Sequence, residues 1–186
     1  MRTVVDAPSV LDHIERLATR QDLPIIGPEK GKVLVDALKR YRPGRILEIG
    51  TLVGYSSILM GQHLSENGTI TTIEKDRNMG ALAREHFKEA GLSERITLLS
   101  GPALKVIPRL HGQFDMVFLD AAKDEYYRYL RACEPKLSEH AVVVADNVKM
   151  FESQLHNFLD YVRHSGNYRS RTFDFGFDAV EVSEKI

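Results

Sequence analysis

The chain has 186 residues, 43% of them hydrophobic and 27% charged, which is typical of one globular domain with a sizeable core. Its 25 basic and 26 acidic residues are interleaved and leave a formal net charge of −1. This balance disfavours an extended nucleic-acid-binding surface and leaves room only for a local basic patch. The chain has a single cysteine, Cys133, which excludes an internal disulfide and a thiolate metal cluster.

The sequence shows no sign of a membrane segment or a secretion signal. Its longest apolar runs, such as residues 141–145, are far shorter than the roughly 20 residues that span a bilayer. Asp6 and Asp12 lie near the amino terminus, where a signal peptide would be apolar. We therefore expect a cytoplasmic protein without a membrane partner.

The elements alternate along the chain. Apolar residues at helical spacing predict a helix over residues 10–18, and Pro28 opens a second helical pattern that runs to Leu38. β-rich runs then alternate with helical stretches; the strands are expected at 45–49, 69–74, 95–99, 114–119 and 141–145, and the helices at 54–64, 77–90, 103–110, 124–132 and 151–163. Apolar strands separated by helices predict an α/β fold with a parallel sheet covered on both faces.

The end of the chain breaks this alternation. Residues 168–173 and 178–182 are strand-like, and the four residues between them leave no room for a helix. The pair is therefore predicted to form an antiparallel hairpin at the sheet edge, which brings the sheet to seven strands. The sequence contains no internal repeat or linker, so we expect a single domain over residues 1–186.

A glycine-bracketed turn follows the first strand, in the stretch RILEIGTLVGYSS. Gly50 and Gly54 are too far apart for the dinucleotide pattern G-x-G-x-x-G, and no second glycine is placed for a pyrophosphate. Ser56 begins the next helix, where it serves either a ligand carboxylate or the helix cap. Glu74, at the end of the second strand, is placed either to bind ribose hydroxyls or to face solvent. Together these positions favour a nucleoside with a carboxylate tail, and S-adenosylmethionine is such a molecule.

Polar residues also end the fourth and fifth strands. Asp120, Asp146 and Asn147 should converge at the carboxyl edge of the sheet, and their oxygens suit Mg²⁺ or another hard divalent cation. A cation there would bind a vicinal diol and lower the pKa of its hydroxyls. Lys123 would then act as the base, and the phenolate formed would attack the sulfonium methyl. The ordinary alternatives are turn residues at the strand ends and a solvated lysine.

Several segments carry a resemblance to a known family: GPEKGKVLVDAL, ILEIGTLVGYSS, ITTIEKD, FDMVFLDAAKDEYYRYL and VVVADNV. In combination they resemble the cation-dependent O-methyltransferases of the catechol and caffeoyl-coenzyme A type, over nearly the whole chain from about residue 10. The resemblance implies a Rossmann-like methyltransferase fold, with a mostly parallel seven-stranded sheet, an antiparallel carboxyl-terminal hairpin and helices on both faces. It also implies that residues 1–43 form helices covering the cofactor side.

The resemblance implies roles for individual residues as well. Lys123 would be the catalytic base, and Asp120, Asp146 and Asn147 would be the metal ligands. The implied cofactor-binding set is Ile26, Gly50, Leu52, Ser56, Glu74, Lys75, Ala103 and Asp120. The chain departs from the family pattern on the acceptor side: the aromatic gate positions fall on Asp22 and Ala122, so Phe151 would have to form the aromatic wall. The loop that carries a catechol-binding carboxylate in the family is shortened here.

The expected function is methylation of a small aromatic acceptor with adjacent hydroxyls. One alternative is a hydroxylated wobble uridine of transfer RNA, which some small relatives with a similar D-A-A-K run modify; clustering of Arg16, Arg20, Arg40, Arg42 and Arg45 on one face would favour it. A nicotinamide-dependent oxidoreductase is disfavoured by the missing G-x-G-x-x-G. A cofactor-binding module without turnover is disfavoured by the intact set of ligands and base. The natural acceptor, the regiochemistry and the choice between monomer and homodimer stay open.

Overall fold

A computed structural model describes residues 6–186 of the chain; residues 1–5 of the predicted amino-terminal region lie outside the described part. Within residues 6–186 the strands are β1 (Arg45–Ile49), β2 (Thr69–Glu74), β3 (Ile96–Ser100), β4 (Phe114–Leu119), β5 (Leu137–Ala145), β6 (Tyr168–Asp174) and β7 (Ala179–Lys185). They form one sheet in the order β3-β2-β1-β4-β5-β7-β6. The first five strands pair in parallel, and β7 pairs antiparallel with both β5 and β6. The predicted α/β class and the edge hairpin are confirmed.

The helices of the same region alternate with these strands. They are α1 (Ala7–Gln21), α2 (Gly27–Tyr41), α3 (Tyr55–Gly61), α4 (Arg77–Glu89), α5 (Ala103–Val106), α6 (Tyr126–Cys133) and α7 (Glu152–His164). The helix predicted over residues 103–110 is shorter than expected and continues as a 3-10 turn at Ile107–Arg109. Pro108 explains the change, because proline has no N–H to donate within an α-helix.

Hydrophobic side chains cover the sheet on both faces. Neighbouring residues of a strand point to opposite sides, so Ile46 packs in one core and Leu47 in the other. The first core also holds apolar residues of α1 to α4, and the second those of α5 to α7. Each strand therefore has its tips held between two helical layers.

The carboxyl ends of the central strands meet at one edge. The backbone N–H of Asp120 donates to the carbonyl of Ile49 (2.9 Å), and that of Asp146 donates to the carbonyl of Leu119 (3.0 Å). These hydrogen bonds extend the ladder by one residue beyond β4 and β5. They place the two aspartates side by side at the strand tips.

The glycine turn lies at the same edge. Gly50 has φ of +100°, and a Cβ atom at this position would collide with the carbonyl oxygen of Asp120. Gly54 has φ of +89° and lies against the ring of Phe87, where a Cβ would also be too close. Glycine is therefore required at both positions for the turn to pass so near β4 and α4.

No helix within residues 6–186 combines the length and the apolar character needed to cross a membrane.

Candidate active site

A cavity of about 620 Å³ opens at the carboxyl edge of the sheet. All of the predicted site residues line it: Ile26, Gly50, Leu52, Ser56, Glu74, Lys75, Ala103, Asp120, Lys123, Asp146 and Asn147. Pro24 and Ile25, in the connection between α1 and α2, line it as well. The structure thus brings the predicted residues together. The cavity has two ends, which differ in the residues that line them.

The glycine-turn end contains Gly50, Leu52 and Glu74. One carboxylate oxygen of Glu74 accepts a hydrogen bond from the backbone N–H of Leu52, and the other accepts from that of Asp76, both at 2.8 Å. Leu52 adopts a left-handed backbone with φ of +49°. The turn after β1 is therefore tied to the tip of β2, and the Glu74 side chain has a fixed position.

Ser56 differs from what the sequence predicted. Its hydroxyl donates to Oε1 of Glu48 (2.5 Å), and the hydroxyl of Ser57 donates to Oε2 of the same residue. Glu48 is completely buried, and this burial raises its pKa to about 7 although the serine hydroxyls act in the opposite direction. The Ser56 hydroxyl thus binds a carboxylate of the protein itself. Its backbone N–H lies in the first turn of α3, where it has no carbonyl partner within the helix.

The acidic end contains Asp120, Asp146 and Asn147 together with Lys123. The Nζ of Lys123 donates to Oδ1 of Asp120 and to the hydroxyl of Tyr126, both at 2.8 Å. The Tyr126 hydroxyl in turn donates to the carbonyl oxygen of Asp146 (3.3 Å). The Lys123 side chain is only 14% exposed, so the alternative of a solvated lysine is wrong.

Asp146 is buried and is paired with a lysine that the sequence analysis did not select. Nζ of Lys30 donates to both of its carboxylate oxygens, at 2.7 and 2.8 Å, and the N–H of Asn147 donates to Oδ1. Burial raises the pKa of Asp146 to about 6, and the negative charge of Asp120 acts in the same direction. The strand tips therefore carry two carboxylates that repel each other in a poorly solvated place.

Asp178 is the second residue that the sequence analysis missed. Its Oδ2 accepts hydrogen bonds from Nζ of Lys30 and from Nδ2 of Asn147, both at 2.7 Å. Burial raises the pKa of this carboxyl, but the hydrogen bonds from Lys30, from the backbone of Ala179 and from Asn147 outweigh burial and lower it.

A sequence signal existed for one of these two residues. Lys30 shares the buried face of α2 with Val33, Leu34 and Ala37, and a charged residue on an apolar helix face indicates a buried partner. Asp178 directly follows the hairpin turn, where an aspartate is ordinary.

The acidic end supplies oxygen donors of two kinds. In the part of the chain that is described, no group of three or more His, Cys, Asp or Glu side chains is arranged to hold a metal ion. The donor set is instead two carboxylates and one amide. Around it, the three carboxylates of Asp120, Asp146 and Asp178 face the two ammonium groups of Lys30 and Lys123, so one negative charge is left uncompensated.

Apolar side chains border the acidic end at the mouth of the cavity. Met150 is 53% exposed and Phe177 is 65% exposed, and both line the cavity together with Phe151. Of the two gate positions that the sequence assigned, Ala122 lines the cavity, whereas Asp22 caps α1 with a left-handed backbone and is not among the lining residues. Phe177, at the tip of the hairpin, was not predicted as part of the site.

Comparison with known proteins agrees with this geometry. The chain is 27% identical to the O-methyltransferase TomG of Streptomyces achromogenes, whose crystal structure contains S-adenosylmethionine; the TM-score is 0.85, covering 95% of this chain and 89% of that one. It is 35% identical to a catechol O-methyltransferase of Niastella koreensis over 66% of this chain and 58% of the relative. It is 31% identical to the catechol O-methyltransferase of Mus musculus over 97% of this chain and 71% of the relative.

The fold is that of the S-adenosylmethionine-dependent O-methyltransferases. The sequence model of the O-methyltransferase family matches residues 1–162, and the chain belongs to this family. The chain spans between 58% and 71% of the length of the two catechol enzymes named above.

Proposed function

We propose that the protein transfers the methyl group of S-adenosylmethionine to one hydroxyl of a small aromatic acceptor with adjacent hydroxyls, with Mg²⁺ or another hard divalent cation. The observation that carries this proposal is the shared cavity: the glycine-turn end and the acidic end face the same space. A cofactor and an acceptor would therefore meet within it. The whole chain would act as one domain.

The cofactor would occupy the glycine-turn end. Glu74 is held by two backbone N–H groups, so its carboxylate stays in place to accept hydrogen bonds from ribose hydroxyls. Gly50 and the first turn of α3, which includes the N–H of Ser56, would surround the methionine part. The remaining members of this set would be Ile26, Leu52, Lys75, Ala103 and Asp120, all of which line the cavity.

The acidic end suits a hard cation. Its donors are oxygens without nitrogen or sulfur, the preference of Mg²⁺. The repulsion between Asp120 and Asp146 and the uncompensated negative charge around them would both be relieved by a cation. Asp120, Asp146 and Asn147 would hold it, and when bound it would lower the pKa of an acceptor hydroxyl.

Lys123 is placed to accept the proton of that hydroxyl. Its Nζ lies between Asp120 and the hydroxyl of Tyr126, which fixes the end of a long side chain at the cavity wall. As a neutral amine, Lys123 would take the hydroxyl proton. The oxyanion so formed would bond to the methyl carbon while the carbon–sulfur bond breaks, and S-adenosylhomocysteine would leave. Since the reacting charges cancel in that step, the poorly solvated cavity favours it.

Met150, Phe151 and Phe177 would contact the acceptor ring. They are the apolar residues beside the acidic end, and two of them expose more than half of their surface. Exposed apolar side chains at a cavity mouth are typical of ligand contact. This wall is open on the solvent side, which would admit substituents on the ring.

A transfer RNA acceptor is less well supported. Arg40 is ten positions after Lys30 on α2, about 15 Å along the helix at 1.5 Å per residue, and so lies far from the cavity that Lys30 borders. Arg45 donates to the carbonyl of His111 at the amino-terminal end of the sheet. Neither Arg40 nor Arg45 therefore borders the cavity in which the cofactor would bind.

The test is methyl transfer from S-adenosylmethionine to 3,4-dihydroxybenzoate, with Mg²⁺ and with EDTA. We expect turnover that requires the cation, and a drop of at least about 100-fold in Lys123→Ala. Lys39→Ala is the control, since Lys39 is an exposed lysine in the last turn of α2. Full turnover in EDTA, or an unaffected Lys123→Ala enzyme, would refute the proposed mechanism. Methylation of transfer RNA but not of the phenol would refute the proposed acceptor.

A further inference from the structure

A buried carboxylate with no part in the chemistry proposed above lies directly behind the acidic end. Asp178 precedes β7 and has no exposed surface. Its Oδ2 accepts hydrogen bonds from Lys30 and from Nδ2 of Asn147, and its Oδ1 accepts one from the backbone N–H of Met150 (3.2 Å). Both oxygens of this side chain are therefore in use, and every partner is a donor.

The hydrogen bond between Asp178 and Asn147 fixes the orientation of the Asn147 side-chain amide. An amide has a donor end and an acceptor end, and the two have nearly the same shape. Because Nδ2 of Asn147 is bound by the carboxylate of Asp178 at 2.7 Å, Oδ1 is the end directed away from Asp178. Asn147 also has a left-handed backbone, with φ of +62°, and lines the cavity.

We propose that Asp178 is a positioning residue, which fixes the amide of Asn147 so that Oδ1 stays available to a hard divalent cation at the acidic end. This inference rests on the cation site of the proposed function. Asp178 does not itself contact the reacting atoms. It acts by preventing the alternative orientation, in which the NH₂ group of Asn147 would face a cation.

An uncharged amide in place of Asp178 would hold Asn147 less firmly. If the oxygen of an asparagine at this position faced Lys30 and Asn147, its NH₂ would face the N–H of Met150. In the reverse orientation its NH₂ would face the ammonium of Lys30 and the NH₂ of Asn147. The first orientation loses the hydrogen bond from Met150 and offers Asn147 only a neutral acceptor, and the second removes the acceptor of Asn147 altogether, so Asp178→Asn should loosen the amide of Asn147.

The test is the affinity for Mn²⁺, measured by electron paramagnetic resonance on protein saturated with S-adenosylhomocysteine. We expect Asp178→Asn to raise the dissociation constant of Mn²⁺ by about 10- to 100-fold, as for other residues that orient metal ligands. The affinity for S-adenosylhomocysteine should stay within about twofold of the wild-type value. Asp174→Asn is the matched control, because Asp174 lies on the same hairpin but is exposed and pairs with Lys149.

Different outcomes separate this inference from the proposed function. Wild-type protein that binds no Mn²⁺ would overturn both. Tight Mn²⁺ binding that is equal in the wild type and in Asp178→Asn would overturn only the positioning role.

A second measurement needs no variant at position 178. In the wild type without metal, the side-chain NH₂ of Asn147, assigned by its loss in Asn147→Ala, should exchange slowly with solvent in nuclear magnetic resonance spectra. Fast exchange would contradict the hydrogen bond to Asp178 on which the inference depends.

Discussion

The two ends of the cavity are built in different ways. At the glycine-turn end, Glu74 is fixed by backbone N–H groups of Leu52 and Asp76, from the adjoining turn and from its own strand end. At the acidic end, two of the three carboxylates are fixed by a side chain far away in sequence: Lys30 is 116 residues from Asp146 and 148 residues from Asp178.

The two ends of the cavity therefore depend on different properties of the chain, namely backbone geometry and side-chain charge. The backbone sets the glycine-turn end, so that end should respond most to changes in chain geometry. Paired charges from α2, β5 and the hairpin set the acidic end, so it should respond most to changes in charge.

The largest effect is expected from Gly50→Ala. A Cβ at this position would collide with the backbone carbonyl of Asp120, and neither strand tip can move without breaking the ladder. We expect a loss of about 5 kcal/mol in unfolding free energy, at the top of the range for single substitutions, measured by urea denaturation. The control is Gly166→Ala: Gly166 also has a positive φ, +80°, but a Cβ added there would meet no atom within 4 Å. Equal losses in the two variants would show that strain in φ, and not the close approach, makes glycine necessary.

Lys30→Met should have the next largest effect. It leaves the buried carboxylates of Asp146 and Asp178 without their cation, and breaking a buried ion pair costs about 4 kcal/mol. Thermal unfolding would measure the loss, with Lys39→Met as the exposed control on the same helix. We also expect MgCl₂ to raise the unfolding temperature of Lys30→Met more than that of the wild type. A variant as stable as the wild type would refute the charge-based account of the acidic end.

Glu48 should make stability depend on pH. The pKa of Glu48 in the folded state is about 7, above the ordinary value of 4.5. Between pH 4.5 and pH 7 the folded state therefore keeps a proton that the unfolded state has lost. The contribution of Glu48 to the free energy of unfolding is therefore fully present below pH 4.5, and it falls by about 3 kcal/mol as the pH rises to 7. The difference in unfolding free energy between the wild type and Glu48→Gln, followed from pH 4.5 to 8, should show this change. A constant difference would contradict the raised pKa.

The smallest effect is expected from Phe177→Ala. The side chain is mostly exposed, so its loss should leave stability and kcat nearly unchanged. We expect KM for 3,4-dihydroxybenzoate to rise about fivefold, because a ring contact is worth about 1 kcal/mol. Ile186→Ala, which removes another exposed apolar side chain, is the control. An unchanged KM would remove Phe177 from the acceptor wall.

Much of the fold follows from local patterns in the sequence. The bounds predicted for β1, β2 and β4 match the structure, since each strand is rich in strand-forming residues and has clear ends. β5 begins four residues earlier than predicted, at Leu137. Glu139 and His140 are exposed, and His140 has φ of +59°, so no apolar run marks that part of the strand.

The site was predictable to the extent that strand ends define it. Asp120, Asp146 and Asn147 follow apolar strands, and the parallel sheet brings them together. Asp178 was not predictable, because its role depends on how the hairpin folds back onto β5. The partner of the Ser56 hydroxyl was not predictable, because Glu48 appeared in the sequence only as one residue of a strand.

The most direct test of the two-ended site is a crystal structure with S-adenosylhomocysteine and Mn²⁺, with anomalous diffraction locating the metal. The account predicts the ribose on Glu74 and one anomalous peak within coordination distance of Asp120, Asp146 and the Oδ1 atom of Asn147. The absence of a peak there, or Mn²⁺ bound elsewhere while the cofactor product occupies the glycine-turn end, would contradict it.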